Sequence, residues 1–311
     1  MAESLPVTGE PTLESLRHEI DAIDDAIDEL IIRRTQLVEE VRVIKRGWPV
    51  KIQPSREAAM IRRLLARHRG PFPKQDLVAI WRQLIVATLS FEGPFAVAVL
   101  VPPGEHAYWD LARDHFGMFA PMHREASVAA VLARVKALDA TVGVIPVPDS
   151  CAVEPWWRAL QDNRQGTPKV IARLPFVGPG NAWTAGREAL VVCPVALVPT
   201  GHDRSYLVAE AAQPIDQGRL KNVLTAAQLE VVMVTPWSRI GENGPFTSLV
   251  EVEGFVALAD DARLAALPAP TPEYPLALAP IGGYALPLTD AELQGEGRSP
   301  TAAAGVVGRS T

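Results

Sequence analysis

Residues 13–46 read LESLRHEIDAIDDAIDELIIRRTQLVEEVRVIKR, and the reading of the whole chain turns on them. Apolar side chains fall at Leu13, Leu16, Ile20, Ile23, Ile27, Leu30, Leu37, Val41 and Ile44. Steps of three and four mark one stripe along an amphipathic helix. The slot between Leu30 and Leu37 should also be apolar, and it holds Arg34. No Gly or Pro interrupts the run before Gly47. The spacing therefore predicts a single helix over 13–46, roughly 51 Å long at about 1.5 Å per residue. A guanidinium in the buried seam of such a helix costs several kcal/mol unless an anion meets it.

Outward from this rod, Gly47-Trp48-Pro49 stops the helix. Pro54-Ser55 opens a second helix carrying Met60, Ile61, Leu64 and Leu65, with Ser55 able to cap its first turn. A third runs from about Lys74 to Glu92, with Leu77, Ile80, Trp81, Leu84 and Ile85 as its expected inner face, and Gly93-Pro94 closes it. A 51 Å rod cannot be covered by so small a domain, whose radius of gyration should be roughly 12 Å. A second copy packed isologously along the rod covers it, so a homodimer is expected. A long coiled coil is the alternative, but it would not need the two short helices.

The composition is that of an ordinary globular chain: 48% hydrophobic and 21% charged over 311 residues, enough for two or three domains. A net charge of −6 speaks against nucleic acid as the main partner. Any anion site must then be a local gathering of Arg and Lys. Cys151 and Cys193 are the only cysteines, giving no disulfide framework and no zinc spacing. The N-terminus lacks an apolar signal core, and no apolar run reaches the length of a membrane span. A cytoplasmic protein is expected, with no membrane and no cofactor.

Four cations belong together. Arg34 and Lys45 are about three turns apart on one helix face, and Arg56 opens the second helix, whose free amides also favour an anion. Arg17 lies about 25 Å from Arg34 along the rod, so it could join the site only from an antiparallel partner. The set suggests a dianionic small molecule held within the bundle. Taken alone, Arg17 and Lys45 read better as ordinary surface charges.

Residues 13–92 resemble the all-α chorismate mutase family, a dimeric helical bundle. The resemblance rests on LESLRHEIDAIDDAIDELIIRR, on VRVIK, on PSRE at Pro54–Glu57 and on IWRQLIVATLSFE at Ile80–Glu92. It implies that Arg34 and the partner's Arg17 grip the substrate carboxylates, with Arg56 assisting. By the same resemblance Lys45 donates to the breaking ether oxygen, and Glu57 accepts the ring hydroxyl's hydrogen bond. Thr88 stands where a small hydroxyl residue is frequent, and Gln53 where Asp is common. Glu92 stands where a Gln usually donates to the ether oxygen. An ionised Glu only accepts, so Glu92 is expected to act protonated; otherwise it merely begins the loop at Gly93. Rearrangement of chorismate to prephenate is concerted, so the site needs to position a dianion and stabilise growing charge on one oxygen.

Beyond Gly93 the pattern predicts a strand at 95–101, helices at 108–116 and 128–138, and a strand at 140–147, an α/β unit. Residues 153–182 are Pro-broken and unpatterned. From 206 the order strand, helix, strand, strand, helix is most of a ferredoxin-like sandwich. Residues 112–117 (ARDHFG) and 143–150 (GVIPVPDS) resemble a worn first lobe of prephenate dehydratase. Residues 203–207 (DRSYL), 252–254 (VEG) and 282–284 (GGY) resemble the ACT domain that follows it in that family. The departures matter. Too few residues separate Gly93 from the ACT-like start for both dehydratase lobes, the Thr-Arg-Phe signature is absent, and 235–239 (TPWSR) stands where the effector motif would. Dehydratase activity is therefore expected to be lost, and an effector of the ACT-like part is not specified.

The expected organisation is multidomain: an unstructured lead-in (1–12), a chorismate mutase-like three-helix dimer bundle (13–93), a truncated dehydratase-like α/β segment (94–200), an ACT-like α+β domain (201–290) and an unstructured tail (291–311). The expected activity is chorismate mutase, with the C-terminal half non-catalytic. The alternatives are an isochorismate-pyruvate lyase on the same scaffold, a bifunctional mutase–dehydratase, and a non-catalytic sensor.

Overall fold

A computed structural model describes residues 12–148, 155–162, 164, 166–178, 180, 182–184, 186–267 and 276–294. The expected unstructured lead-in, apart from Thr12, and the expected tail from residue 295 lie outside the described residues. Residues 291–294, the start of the expected tail, are described and are helical.

The first helix, α1, spans Leu13–Ile44. Thr12 caps it by accepting the Ser15 amide at 3.1 Å. It stops two residues short of the expected end, and Lys45 is its C-cap, outside the helical run. The second and third helices are α2 (Pro54–Arg67) and α3 (Lys74–Glu92). Helix α1 contributes no buried residue: Ile27 is 50% exposed and Leu30 64%. Its stripe rests on α3 in part and is otherwise open.

The inner face expected for α3 is corrected. The buried positions are Val78, Arg82, Ile85, Val86, Thr88 and Leu89, whereas Ile80 is 49% exposed. Helix α3 is apolar on two sides. The stripe through 78, 82, 85 and 89 packs on the C-terminal half, and hydrophobicity alone could not tell which stripe would do so.

The C-terminal half is built on one ten-stranded sheet. Its strands are β1 (Val97–Leu100), β2 (Met122–Glu125), β3 (Val142–Pro146), β4 (Lys169–Leu174), β5 (Ala189–Cys193), β6 (Asp203–Ala211), β7 (Val231–Val234), β8 (Ser238–Arg239), β9 (Phe246–Glu253) and β10 (Leu276–Ala285). They lie in the order β2-β1-β3-β5-β4-β10-β6-β9-β7, with β8 on β9. Helices α4 (Ala107–Phe116), α5 (Val128–Lys136), α6 (Gln217–Ala226), α7 (Ala262–Ala265) and α8 (Asp290–Gln294) complete the chain. Strand β2 was not expected from its polar sequence, and β4 rises from the stretch read as unpatterned. The order β10-β6-β9-β7 is that of the expected ferredoxin-like sandwich.

The sheet passes without a break across the expected boundary at residue 200. Strand β10 joins the halves: antiparallel to β6 over its length, it meets β4 in parallel at Gly282 opposite Val170. Gly282 has φ +115°, and a Cβ there would lie 2.2 Å from the Val170 carbonyl oxygen. Only glycine fits a left-handed backbone so close to another strand. Beside this seam Glu251 of β9, 3% exposed, accepts from the Tyr284 hydroxyl of β10 and from Arg173 of β4 at 3.3 Å. Burial pushes Tyr284 up to about 12, with Glu251 adding to it.

Candidate functional site

Five of the sequence-predicted residues converge where α1 ends, α2 begins and α3 ends. Lys45 is swung off the end of α1, and its Nζ donates to Glu92 Oε2 at 2.7 Å and to the Lys51 carbonyl at 3.1 Å. The Trp48 ring lies 5.8 Å from the same nitrogen. An ammonium has three donors, so one remains for another acceptor. Lys51, which sequence reasoning missed, ties the loop by donating to the carbonyls of Lys45 and Trp48. Its only signal in the sequence is a lysine between two helix-breaking segments.

Arg34 of α1 and Arg56 of α2 lie close enough for their charges to act on each other. The Arg34 guanidinium is lowered by burial and then by Arg56, while Glu92 acts in the opposite direction. It remains charged near neutrality. Among the described residues neither Arg34 nor Arg56 has an ion pair. Two guanidiniums that repel each other, neither held in an ion pair, form a place that favours an anion.

Glu57, in the first turn of α2, is more enclosed. Its Oε1 accepts the Gln53 amide at 3.4 Å and its Oε2 accepts Arg82 Nη1 at 3.0 Å. Burial raises its carboxyl above the ordinary range, against the opposing pull of Arg82, the Gln53 amide and Lys45. Gln53 thus contributes its backbone, and its side chain makes no capping hydrogen bond. Thr88 is buried, and its hydroxyl donates back into its own helix, to Leu84 at 3.1 Å and Ile85 at 2.8 Å. It offers a substrate its lone pairs more readily than its proton. Arg17 is not brought to this place: it sits exposed in the second turn of α1, far along the rod.

A cleft of about 460 Å³ adjoins the Lys45–Glu92 pair, lined by Glu39, Arg42, Arg46, Trp48, Lys51 and Glu92, of which Glu92 alone is a candidate residue. A larger cavity of about 670 Å³ lies at the ends of β1 and β3, among Tyr108, Trp156, Arg173, Glu188 and Glu251. No candidate residue reaches that one. The charged cluster at the helix ends is therefore the better site, because its unpaired cations favour a ligand and the charged walls of the larger cavity are already paired.

This arrangement belongs to a known class of helical domain. Residues 16–93 match the family model described as chorismate mutase type II, and the N-terminal region is a domain of that family. The chain is also similar to bifunctional chorismate mutase/prephenate dehydratases. That of Stutzerimonas stutzeri is 31% identical over 144 residues, 44% of this chain and 39% of that protein. That of Aquifex aeolicus is 32% identical over 144 residues, with the same coverage of each. The chain thus spans about two fifths of the length of these curated relatives. Among solved structures, a prephenate dehydratase from Streptococcus mutans has a TM-score of 0.41 at 12% identity, covering 62% of this chain and 98% of that one. No helix among the described residues is long and apolar enough to cross a membrane.

Proposed function

We propose that the protein is a cytoplasmic homodimeric chorismate mutase that converts chorismate to prephenate in aromatic amino-acid biosynthesis. The observation that carries this reading is the juxtaposition of Arg34, Arg56, Lys45, Glu57 and Glu92 within a domain of the mutase family. Arg34 and Arg56 take one carboxylate, and the partner's antiparallel rod brings its Arg17 to the other. The free donor of Lys45 meets the ether oxygen as charge grows there. Glu57 has an oxygen to spare for the ring hydroxyl, because Arg82 occupies the other and the Gln53 contact is long.

The dimer is supported by α1 itself. Burying each of its exposed Leu and Ile side chains is worth about 1.5–3 kcal/mol, and one chain leaves them open. A rearrangement within one dianion needs no nucleophile from the protein, and this cluster of cations and carboxylates is suited to holding and polarising the substrate.

The test is purified protein with chorismate and, separately, isochorismate. Appearance of prephenate supports the reading. Salicylate from isochorismate would replace it with the lyase, phenylpyruvate would add the dehydratase step for which the relatives are named, and no turnover would leave a binding protein.

A further inference from the structure

We propose that Arg82, wedged between the Glu57 carboxylate and the Phe176 ring, is a positioning residue that fixes Glu57. The C-terminal half thereby becomes the rear wall of the mutase pocket. The proposal rests on the chorismate mutase reading above. Arg82 is the odd residue in the buried stripe of α3, 7% exposed among Val78, Ile85 and Leu89. It thus repeats the mismatch that Arg34 makes in α1. Its Nη1 donates to Glu57 at 3.0 Å, and its guanidinium carbon stands 4.8 Å from the centroid of Phe176. Phe176, 5% exposed, follows β4 and lies well outside the residues that match the mutase family. The Arg82 Nε is buried and has no hydrogen-bond partner among the described residues.

That last point separates positioning from packing. A buried cation with an unmet donor is a poor stabiliser, and an apolar residue of similar volume would hold this stripe as well or better. What the guanidinium supplies is a carboxylate held at one angle and a charge that opposes its protonation. Glu57 faces Arg82 from α3, Lys45 from the end of α1 and the Cys193 thiol from β5, which burial and Glu57 together push up. His115 of α4 faces Arg82, and the same surroundings hold its imidazole well below its ordinary value and so neutral. Arg82 and Lys45 are therefore the cations that oppose the burial of Glu57, and only Arg82 bonds to it. The ring of Phe176 closes the far side of the guanidinium plane and limits where it can move.

The experiment measures kcat and KM against pH for the wild type and for Arg82→Gln, Arg82→Lys and Phe176→Leu. Arg82→Gln should lower kcat/KM about 10- to 100-fold, the scale of a small misplacement in a preorganised site. Its acidic limb should move to higher pH, because the charge that favoured the carboxylate is gone. Arg82→Lys should restore the limb and part of the rate, and Phe176→Leu should shift both slightly in the Gln direction. In a Glu57→Gln background the Arg82→Gln loss should nearly vanish. An unmoved limb, or an equal loss in both backgrounds, overturns the proposal. If Arg82→Gln does not fold, the limbs of Arg82→Lys and Phe176→Leu decide between the same two outcomes. A wild type that does not convert chorismate overturns the functional reading alone. The Glu57 carboxyl, followed by 13C NMR, then decides this one: its titration must move up in the Arg82 or Phe176 variants, and a fixed midpoint refutes it.

Discussion

Helix α1 and strands β6 and β9 are comparably apolar and meet opposite fates. Leu207, Val208, Leu249 and Val250 are fully buried, while Leu30 and Ile44 of α1 are 64% and 79% exposed. A strand inside a ten-stranded sheet finds both neighbours in its own chain. A rod about 48 Å long at 1.5 Å per residue rests chiefly on α3, and the rest of its stripe stays open. The sheet is thus self-sufficient, and the proposed dimer is what would cover the rod. Ile27→Glu should break that contrast most strongly. A charge in mid-stripe should give monomers by sedimentation and abolish chorismate turnover, since the partner's Arg17 no longer arrives, with the sheet's unfolding midpoint unchanged. A persistent dimer would mean that the stripe is covered in some other way.

The next two effects fall one on each side of the comparison. Arg34→Ala should lower kcat about 10²- to 10³-fold, as loss of a preorganised charge partner does. Thermal stability should hardly change, because Arg34 has no ion pair among the described residues. A large fall in melting temperature would instead make Arg34 part of the packing. Gly282→Ala should do the reverse. With a Cβ 2.2 Å from the Val170 oxygen at φ +115°, it should destabilise the sheet by about 3 kcal/mol. Denaturant unfolding measures this, and sedimentation should still find the helical dimer in whatever folds.

These two substitutions also mark what the sequence could disclose. The three helices were legible because their stripes are regular and end at Gly47, Gly70 and Gly93, and the α3 range matches the expectation of Lys74 to Glu92. Arg34 was legible as one wrong letter in a regular pattern. Arg82 was not, because α3 has two apolar sides and the stripe chosen from sequence, through Ile80 and Trp81, avoids Arg82. Strand β2, with the sequence Met-His-Arg-Glu, has no alternation to betray it, being held at the edge of the sheet by β1 alone. The join through β10 depends on one parallel contact between residues far apart in sequence. Local pattern cannot report such a contact.

The smallest effect concerns Glu92, where the helical half meets the loop to the sheet. Its carboxylate accepts from Lys45 at 2.7 Å, so in the ligand-free protein these two groups satisfy each other. An arriving ether oxygen needs donors, and an ionised Glu92 can only repel the charge growing there. Protonated, it becomes a second donor beside Lys45. Turnover of the wild type should fall on the acid side, where Glu57, whose carboxyl burial raises above the ordinary range, loses the carboxylate that accepts the ring hydroxyl. Glu92→Gln donates at every pH and gives up the ion pair. It should exceed the wild type by about tenfold or less, one hydrogen bond's worth. The acidic limb should stay where it was, since Glu57 and Arg82 are untouched. A Gln variant no faster than the wild type would leave Glu92 as the anchor of Lys45 and nothing more.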